Sequence, residues 1–410
     1  MEQLIDRCAG LDVHKRTIAA CVRVPGHGKE RVQHVQTFGT TAADLLTLRD
    51  WLRAHGVTHV ALESTGVFWK PIYYTLEDGF TVVLVNAAHI QQVPGRKTDV
   101  QDSVWIAQLL EHGLVRASFV PPAPIRALRD LTRYRTVMIE ERVREVNRIH
   151  KVLEEAGIKL AAVASKLLGA SGRAMLDALV AGTTDPAVLA DLARGVLRKK
   201  LPALRAALAA ELRPHQAFLL GELLAHLDYL EQAITRVSAQ IAEALAPFMT
   251  AVARLETIPG IRRRAAEVIV AEIGVDMTRF PTAGHLASWA GLCPGHHESA
   301  GRSTSGKPRK GNRWLKRTLT QTALGAIQSK PPNALGARYR RLRHHTGHKK
   351  AVVAVSHAQL VAAYHMLAAQ QDYVDLGADY LDRHTADRAR RRAIRTLERQ
   401  GYHVTLETAA

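Results

Sequence analysis

Over the first 112 residues strand-like and helix-like patterns alternate, whereas from residue 123 onward the long apolar patterns have a helical period. This change of period constrains the fold more than any other feature: a sheet domain comes first, and helices build the rest. Residues 4–25 read as strand, tight turn, strand, with β-branched and apolar density in Val13, Thr17, Ile18, Cys21, Val22 and Val24. His14-Lys15-Arg16 is the polar break between them. Residues 30–38 alternate as a third strand, and Thr41 caps a helix from about Ala42 to His55. A strand from Val57 to Leu62 ends at Glu63, a helix runs to about Asp78, Thr81 to Val85 is a strand, and 98–112 are helical. The order βββαβαβα predicts an α/β domain with a mixed sheet.

Residues 125–156 predict one long amphipathic helix, with Leu128, Leu131, Ile139, Val143, Val146, Ile149 and Leu153 along one side and mixed Arg and Glu opposite. Residues 185–250 are helical again, broken at Pro202 and Pro214. The helices 125–156 and 214–246 suit an antiparallel coiled coil or an ordinary bundle core. A third region opens at Leu255: Thr257-Ile258-Pro259-Gly260-Ile261 precedes a helical run, then come Gly291-Leu292-Cys293-Pro294, a polar loop and a very basic stretch. Between Ser299 and Lys350 stand fourteen Lys and Arg and no Asp or Glu. From Asp379 a charged tail reads as a helix at the edge of the fold.

The chain carries 56 Lys and Arg against 38 Asp and Glu, a net charge of +18, which calls for a polyanionic partner, most often nucleic acid. At 47% hydrophobic it is no disordered chain, and its length suits two or three domains. Cys8, Cys21 and Cys293 make neither a disulfide framework nor a zinc site, so a reducing cytosol is expected. Neither a secretion signal nor a membrane span is expected.

Four carboxylates stand out. Asp12 sits mid-strand among apolar neighbours, where an unpaired carboxylate is costly. Glu63 ends a later strand, and Asp99 and Asp102 share one helix face at i, i+3. Together they suit one or two Mg²⁺ (or Mn²⁺) ions clamping phosphate oxygens. Singly, Asp99 reads as a helix cap and Glu63 as a turn residue. The Pro259-Gly260 turn between helices resembles a helix-hairpin-helix that aims backbone N–H groups at a phosphate, or is a plain connection. The loop from Pro294 to Gly306 offers Ser299, Ser303 and Ser305, and spacing alone does not choose among them. A serine nucleophile needs cations to hold the attacked phosphate, and Arg302, Lys307, Arg309, Lys310, Arg313, Lys316 and Arg317 follow. His296 and His297 suit contact with phosphate or solvent. Trp314 and Tyr339 interleave with the basic residues, as in proteins that stack on unpaired bases, although Trp314 also fits core packing with Leu315 and Leu319.

The motifs resemble the DEDD-type insertion-sequence transposases, the insertion sequence one-ten family, which is related to the Piv DNA invertases. Gly10-Leu11-Asp12-Val13-His14-Lys15, Glu63-Ser64-Thr65-Gly66 and Lys97-Thr98-Asp99-Val100-Gln101-Asp102 look like its first three motifs. Ser171-Gly172-Arg173-Ala174-Met175-Leu176 resembles its middle region, and Ile258-Pro259-Gly260-Ile261 with Gly291 through Asn312 its C-terminal domain. The resemblance implies an α/β RNase H-like (RuvC-like) catalytic domain over 1–122, an all-α coiled-coil region over 123–250, a mostly α transposase domain over 251–375 with the helix-hairpin-helix-like element, and a charged tail over 376–410. It implies that Asp12, Glu63, Asp99 and Asp102 bind Mg²⁺ and that Ser299, in Ser299-Ala300-Gly301, is the nucleophile, with Ser303 and Ser305 as alternatives. Gly260, Arg302, Lys307, Arg309, Lys310, Asn312, Arg313, Lys316 and Arg317 are the expected nucleic-acid contacts. Double-stranded DNA, a noncoding bridge RNA and further copies of the chain are the expected partners, in a bacterial or archaeal cytoplasm, at the nucleoid.

The expected reaction is strand exchange through a phosphoserine link and a Holliday junction. Two rival enzymes use the same residues: an invertase of the Piv type without guide RNA, and a Holliday-junction endonuclease in which the acids activate water. A nucleic-acid-binding protein whose acids only cap helices is the non-enzymatic rival.

Overall fold

The computed structural model describes residues 3–28, 30–63, 66–85, 99–295, 297–299, 302–305 and 310–405. For Asp99, 297–299, 302–305 and much of the last helix it describes the backbone alone. The chain forms two compact units, 1–120 and 121–410.

The first unit is built on a five-stranded sheet in the order β3-β2-β1-β4-β5, from β1 (Cys8–Val13), β2 (Thr17–Pro25), β3 (Arg31–Gly39), β4 (His59–Glu63) and β5 (Thr81–Val85). β1, β2 and β3 are antiparallel neighbours, while β4 runs parallel to β1 and β5 parallel to β4. This mixed order is that expected of an RNase H-like domain. The helix α1 (Ala42–Ala54) starts at Thr41 in a capping box: the Thr41 hydroxyl accepts from the Asp44 N–H, and the Asp44 carboxylate accepts from the Thr41 N–H. Those bonds hold the Asp44 carboxyl below its ordinary range. Leu45, Leu48 and Leu52 of α1, with Ile72 and Leu76 of α2 (Trp69–Leu76), bury one sheet face.

The opposite face carries α3 (Asp99–Glu111). The core under it is thin because β1 offers only small side chains there, Cys8 and Gly10. A Cβ on Gly10 would stand 2.3 Å from the Ser103 carbonyl oxygen and 2.3 Å from the Ala107 nitrogen, so only glycine admits the helix. At its far end α3 is fixed by the buried Glu111, whose carboxylate pairs with Arg23 at 2.7 Å and with Arg31. Burial pushes the Cys8 thiol up to about 11 and the Cys21 thiol up to about 12, so both pack as small hydrophobes.

Among the described residues, the second unit is helical apart from one hairpin. Its spine is α4 (Ala123–Glu155), followed by α5 (Leu160–Val163), α6 (Ala170–Val180), α7 (Pro186–Asp191) and α8 (Leu201–Ala207). The long helix α9 (Pro214–Ala244) then returns along α4. Arg142 pairs with Glu231 at 2.6 Å and Glu145 with His226 at 3.3 Å, so the two run antiparallel, an arrangement common to the coiled-coil and bundle readings. On α9 the buried positions Leu220, Leu224, Leu227, Ile234 and Ile241 follow heptad spacing.

The inner face of α4 differs from the apolar stripe read in the sequence. Val143 is half exposed and Leu131, Ile139 and Val146 are only partly buried, whereas Thr132, Arg135, Met138 and Glu145 face inward. The cause is that α4 meets different partners along its length. Its first half packs on α11 (Arg263–Ile273), which contributes the buried acids Glu267 and Glu272, and its second half packs on α9. The segment around Ser171 also has a packing role: Arg173 of α6 makes a two-pronged bond to Asp228 of α9 at 2.5 and 2.7 Å.

α10 (Met249–Glu256), α11, α12 (Ala283–Trp289), α13 (Arg313–Gln328) and α14 (Ala334–Ala369) complete the body, with α15 (Tyr380–Arg399) as a charged tail helix. Within the polar loop lies a strand pair that the sequence reading left as loop, β6 (His297–Ser299) and β7 (Arg302–Ser305). α14 is long and apolar enough by composition to cross a membrane, yet half of its apolar window is buried inside this unit. Its Ser356 hydroxyl donates to the Leu319 carbonyl and its Gln359 amide to the Pro259 carbonyl, as in a core helix.

Candidate functional site

The sheet brings the acids to one edge. Along β1, Cys8, Gly10 and Asp12 point to the face covered by α3, because side chains alternate along a strand. On β4 the buried Val60 and Leu62 belong to the opposite core, which leaves Ala61 and Glu63 on the α3 face. β1 and β4 are parallel with Leu11 beside Leu62, so the next pair in register is Asp12 and Glu63. Both acids therefore stand at the C-terminal ends of adjacent parallel strands, on one face. α3 runs antiparallel to β1: Leu110 and Ala107 lie over Cys8, and Ala107 and Ser103 over Gly10. One turn further, Asp99 and Asp102 open the helix at the Asp12 end.

Asp12 is 6% exposed, and its carboxylate bonds His14 Nε2 at 3.1 Å. His14 is the neighbour that the acid-centred reading missed, and its signal was simple: position i+2 of a strand shares the face of position i. Among the described residues no three His, Cys, Asp or Glu side chains stand close enough to hold a metal. The donor set is nonetheless all oxygen, from carboxylates on fixed backbone, which is the set a hard divalent cation takes.

The serine lies in the second unit. Ser299 ends β6 and pairs with Arg302, while Ser303 pairs with Glu298 and Ser305 with His297. Register alone does not choose among the three serines. The chain departs for this hairpin after Gly291 and returns at Gly311, and these two residues touch: a Cβ on Gly311 would stand 2.3 Å from the Gly291 nitrogen. Asn312 locks the return. Its side-chain oxygen caps α13 by accepting from the Trp314 and Leu315 N–H groups at 3.0 Å, and its amide donates to Glu272 at 2.5 Å. Glu272 is fully buried and also takes two bonds from Arg133, at 2.7 and 2.8 Å. The sequence reading offered Asn312 as a nucleic-acid contact; here its side chain is committed to the fold.

Gly260 is likewise held tightly. Its φ is +85°, and a Cβ would stand 2.1 Å from the Thr322 carbonyl oxygen of α13. It borders a cleft of about 380 Å³ between α4, α11 and α13, whose walls include Arg262, Arg264, Trp314 and Arg317. Arg317 pairs with Glu140, and Arg313 lies over the Trp314 ring at 4.7 Å from its centroid. Tyr339 is 6% exposed and its hydroxyl bonds His348, so it offers no stacking face. Lys310 and Arg313 are exposed and Lys316 half-buried. Lys307 and Arg309 lie outside the described residues, as does the side chain of Arg302.

Residues 9–158 match a DEDD-type family described as transposase, and residues 252–340 match the family described as "Transposase IS116/IS110/IS902 family". The chain belongs to the IS110 family of insertion-sequence transposases. It is 27% identical over 321 residues to a "Probable family 20 transposase" of Pseudomonas aeruginosa, covering 78% of this chain and 83% of that one. It is 27% identical over 268 residues to the "Transposase for insertion sequence element IS1328" of Yersinia enterocolitica, covering 64% and 69%. A 128-residue stretch is 35% identical to the "Insertion element IS110 uncharacterized 43.6 kDa protein" of Streptomyces coelicolor, 31% of this chain and 29% of that one. The protein is thus a DNA-acting transposase, and membership among the DEDD transposases implies dependence on a divalent metal.

Proposed function

We propose that this IS110-family transposase cuts and rejoins DNA strands through a serine-linked intermediate, with a RuvC-like first unit supplying the acids. The observation that supports the reading is that Asp12 and Glu63 fall at the C-terminal ends of adjacent parallel strands, on the sheet face over which Asp99 and Asp102 open α3. Asp12, Glu63, Asp99 and Asp102 would hold Mg²⁺ or Mn²⁺, which when bound supplies positive charge to the oxygens of a scissile phosphate. His14 holds one oxygen of the Asp12 carboxylate and so fixes its orientation. Ser299 is the nucleophile: its Oγ gives up its proton, a P–Oγ bond forms, and the bond to the departing sugar oxygen breaks as that oxygen takes up a proton. The freed sugar hydroxyl of one strand then attacks the phosphoserine of another, giving a Holliday junction and returning the serine. Each link conserves one phosphodiester bond, so no nucleotide cofactor is consumed. Exposed Lys310 and Arg313, with Lys316, Arg317, Arg302, Lys307 and Arg309, would hold the DNA backbone near the hairpin, and the Gly260 turn would lie beside it.

A structured bridge RNA, a homo-oligomer and action at the nucleoid of a bacterial or archaeal cytoplasm complete the proposal. They rest on the family resemblance and on the +18 charge. The decisive experiment incubates the protein with the duplex ends of its own element and Mg²⁺, denatures with detergent, and looks for protein-linked DNA. Wild type gives an adduct mapping to the Ser299 peptide, Ser303→Ala and Ser305→Ala keep it, and Ser299→Ala loses it. An adduct that survives Ser299→Ala sinks the serine assignment. Cleavage by wild type with no adduct favours the hydrolytic endonuclease. Sequencing RNA that copurifies from cells carrying the native flanking DNA tests guidance: one discrete RNA supports it, and heterogeneous RNA favours an unguided invertase.

A further inference from the structure

We propose that residues 338–350 form an elbow that grips the backbone of duplex DNA. The inference rests on the transposase reading for its substrate class, and on geometry for everything else. α14 is two helices joined at Gly347, whose φ of 77° and ψ of 169° interrupt the helical backbone. The second segment is buried in the helical body, with Ala351, Val352 and Val355 at most 4% exposed. Around the joint the chain is exposed on both sides, and a Cβ on Gly347 would meet nothing within 4 Å.

On this elbow stand Arg338, Arg340, Arg341, Arg343, Lys349 and Lys350. All six residues are exposed. No Asp or Glu occurs from Ser299 through Gln371, so the stretch itself is uniformly basic. A run of exposed like charge with no acid interspersed is the electrostatic footprint of a polyanion site.

Two observations favour duplex DNA over unpaired strands. Tyr339 is the elbow's single Phe, Tyr or Trp, and it is buried with its hydroxyl on His348 Nδ1 at 2.8 Å, so the elbow presents charge without a stacking platform. That same bond spans the joint, from the helix before Gly347 to the first residue after it, and holds the bend in one shape. A fixed, charged bend matches a stiff duplex better than a flexible strand. His344 and His345 extend the exposed face.

The test uses full-length protein with a chelator present, so that binding is read without cleavage. Duplex DNA, single-stranded DNA and duplex RNA of the same sequence are titrated across a range of salt. The Arg340→Gln, Arg341→Gln, Arg343→Gln triple variant is expected to bind duplex DNA roughly tenfold or more weakly, with a salt slope shallower by about 2 to 3. Lys349→Gln with Lys350→Gln provides a second, smaller charge removal of the same sign. Gly347→Ala keeps every charge, introduces no contact and straightens the joint, and is expected to weaken duplex binding several-fold while leaving single strands unchanged. Wild-type affinity and slope in both charge variants would overturn the proposal, as would an equal loss on single strands or a preference for duplex RNA. Because no cleavage is involved, failure here leaves the serine reading intact, and failure of the serine adduct leaves this result standing.

Discussion

Asp12 and Glu63 sit inside a five-stranded sheet, each held by strand partners on both sides, whereas Ser299 sits on a two-stranded hairpin that leaves its helical body at Gly291 and rejoins it at Gly311. The fold itself places the acids; only the two ends of its excursion place the serine. Yet the same device secures both. Gly10 lets α3 touch β1, and Gly311 touches Gly291, each through backbone contact that no larger residue allows. A sheet-borne group therefore fails when the sheet's cover is lifted, and a hairpin-borne group fails when its root is loosened.

Several substitutions press on that contrast. The largest effect on activity belongs to Asp12→Asn and Ser299→Ala, each expected to lower strand cleavage by about a thousandfold or more. Their stabilities should part company. Thermal unfolding of Ser299→Ala should match wild type, because the change trims a single hydroxyl from a two-stranded hairpin. Asp12→Asn should shift the melting of the metal-free protein measurably, since it changes a buried carboxylate that bonds His14. Equal melting shifts would break the comparison.

Next come the glycines. Gly10→Ala should cost about 3 kcal/mol or more, because helix and strand backbones must separate, and should be visible as lost protection of the β1 amides in hydrogen exchange. Gly311→Ala should loosen the hairpin and spare the sheet, with exchange rising in the second unit alone. Behind Gly311, Glu272→Gln leaves Arg129 and Arg133 facing a neutral group and should destabilise by about 3 kcal/mol in urea unfolding. It should slow adduct formation while Glu272→Asp recovers part of the rate.

The smallest effect concerns pH. The hydrogen bonds from Arg173 hold the Asp228 carboxyl below its ordinary range. A depressed carboxylate contributes stability above its unfolded pKa and loses it as pH falls through the folded value. The pair is partly exposed, so its contribution stays well under 1 kcal/mol. The stability difference between wild type and Asp228→Asn should be measurable at pH 7 and shrink as pH falls below the ordinary Asp range.

Much of the first unit was legible because its signals are local. Alternation marked the strands, Thr41 marked a helix start, and a carboxylate within an apolar strand marked Asp12. The convergence with Glu63 followed once β4 was placed parallel beside β1. The hairpin at 297–305 was not legible, since its serines, glycine and charges lack the apolar alternation that announces a strand. Nor was the inner face of α4: Arg135 and Glu145 look like surface residues until their partners Glu267 and His226, distant in sequence, are brought to them. Asn312 read as a nucleic-acid contact for a related reason, because a basic neighbourhood hides a capping bond.

The charges buried along α4 also bear on how chains of this kind can vary in length. A purely apolar coiled coil tolerates the gain or loss of a heptad, since one leucine layer replaces another. Here a shift of one turn would carry Arg135 away from Glu267 and leave a guanidinium and a carboxylate facing hydrocarbon. The helix thus behaves as a keyed shaft. Insertions and deletions between homologous chains should collect in the connections at 181–185 and 208–213, and the distance from Arg129 to Glu145 should stay constant while the sequence between them drifts.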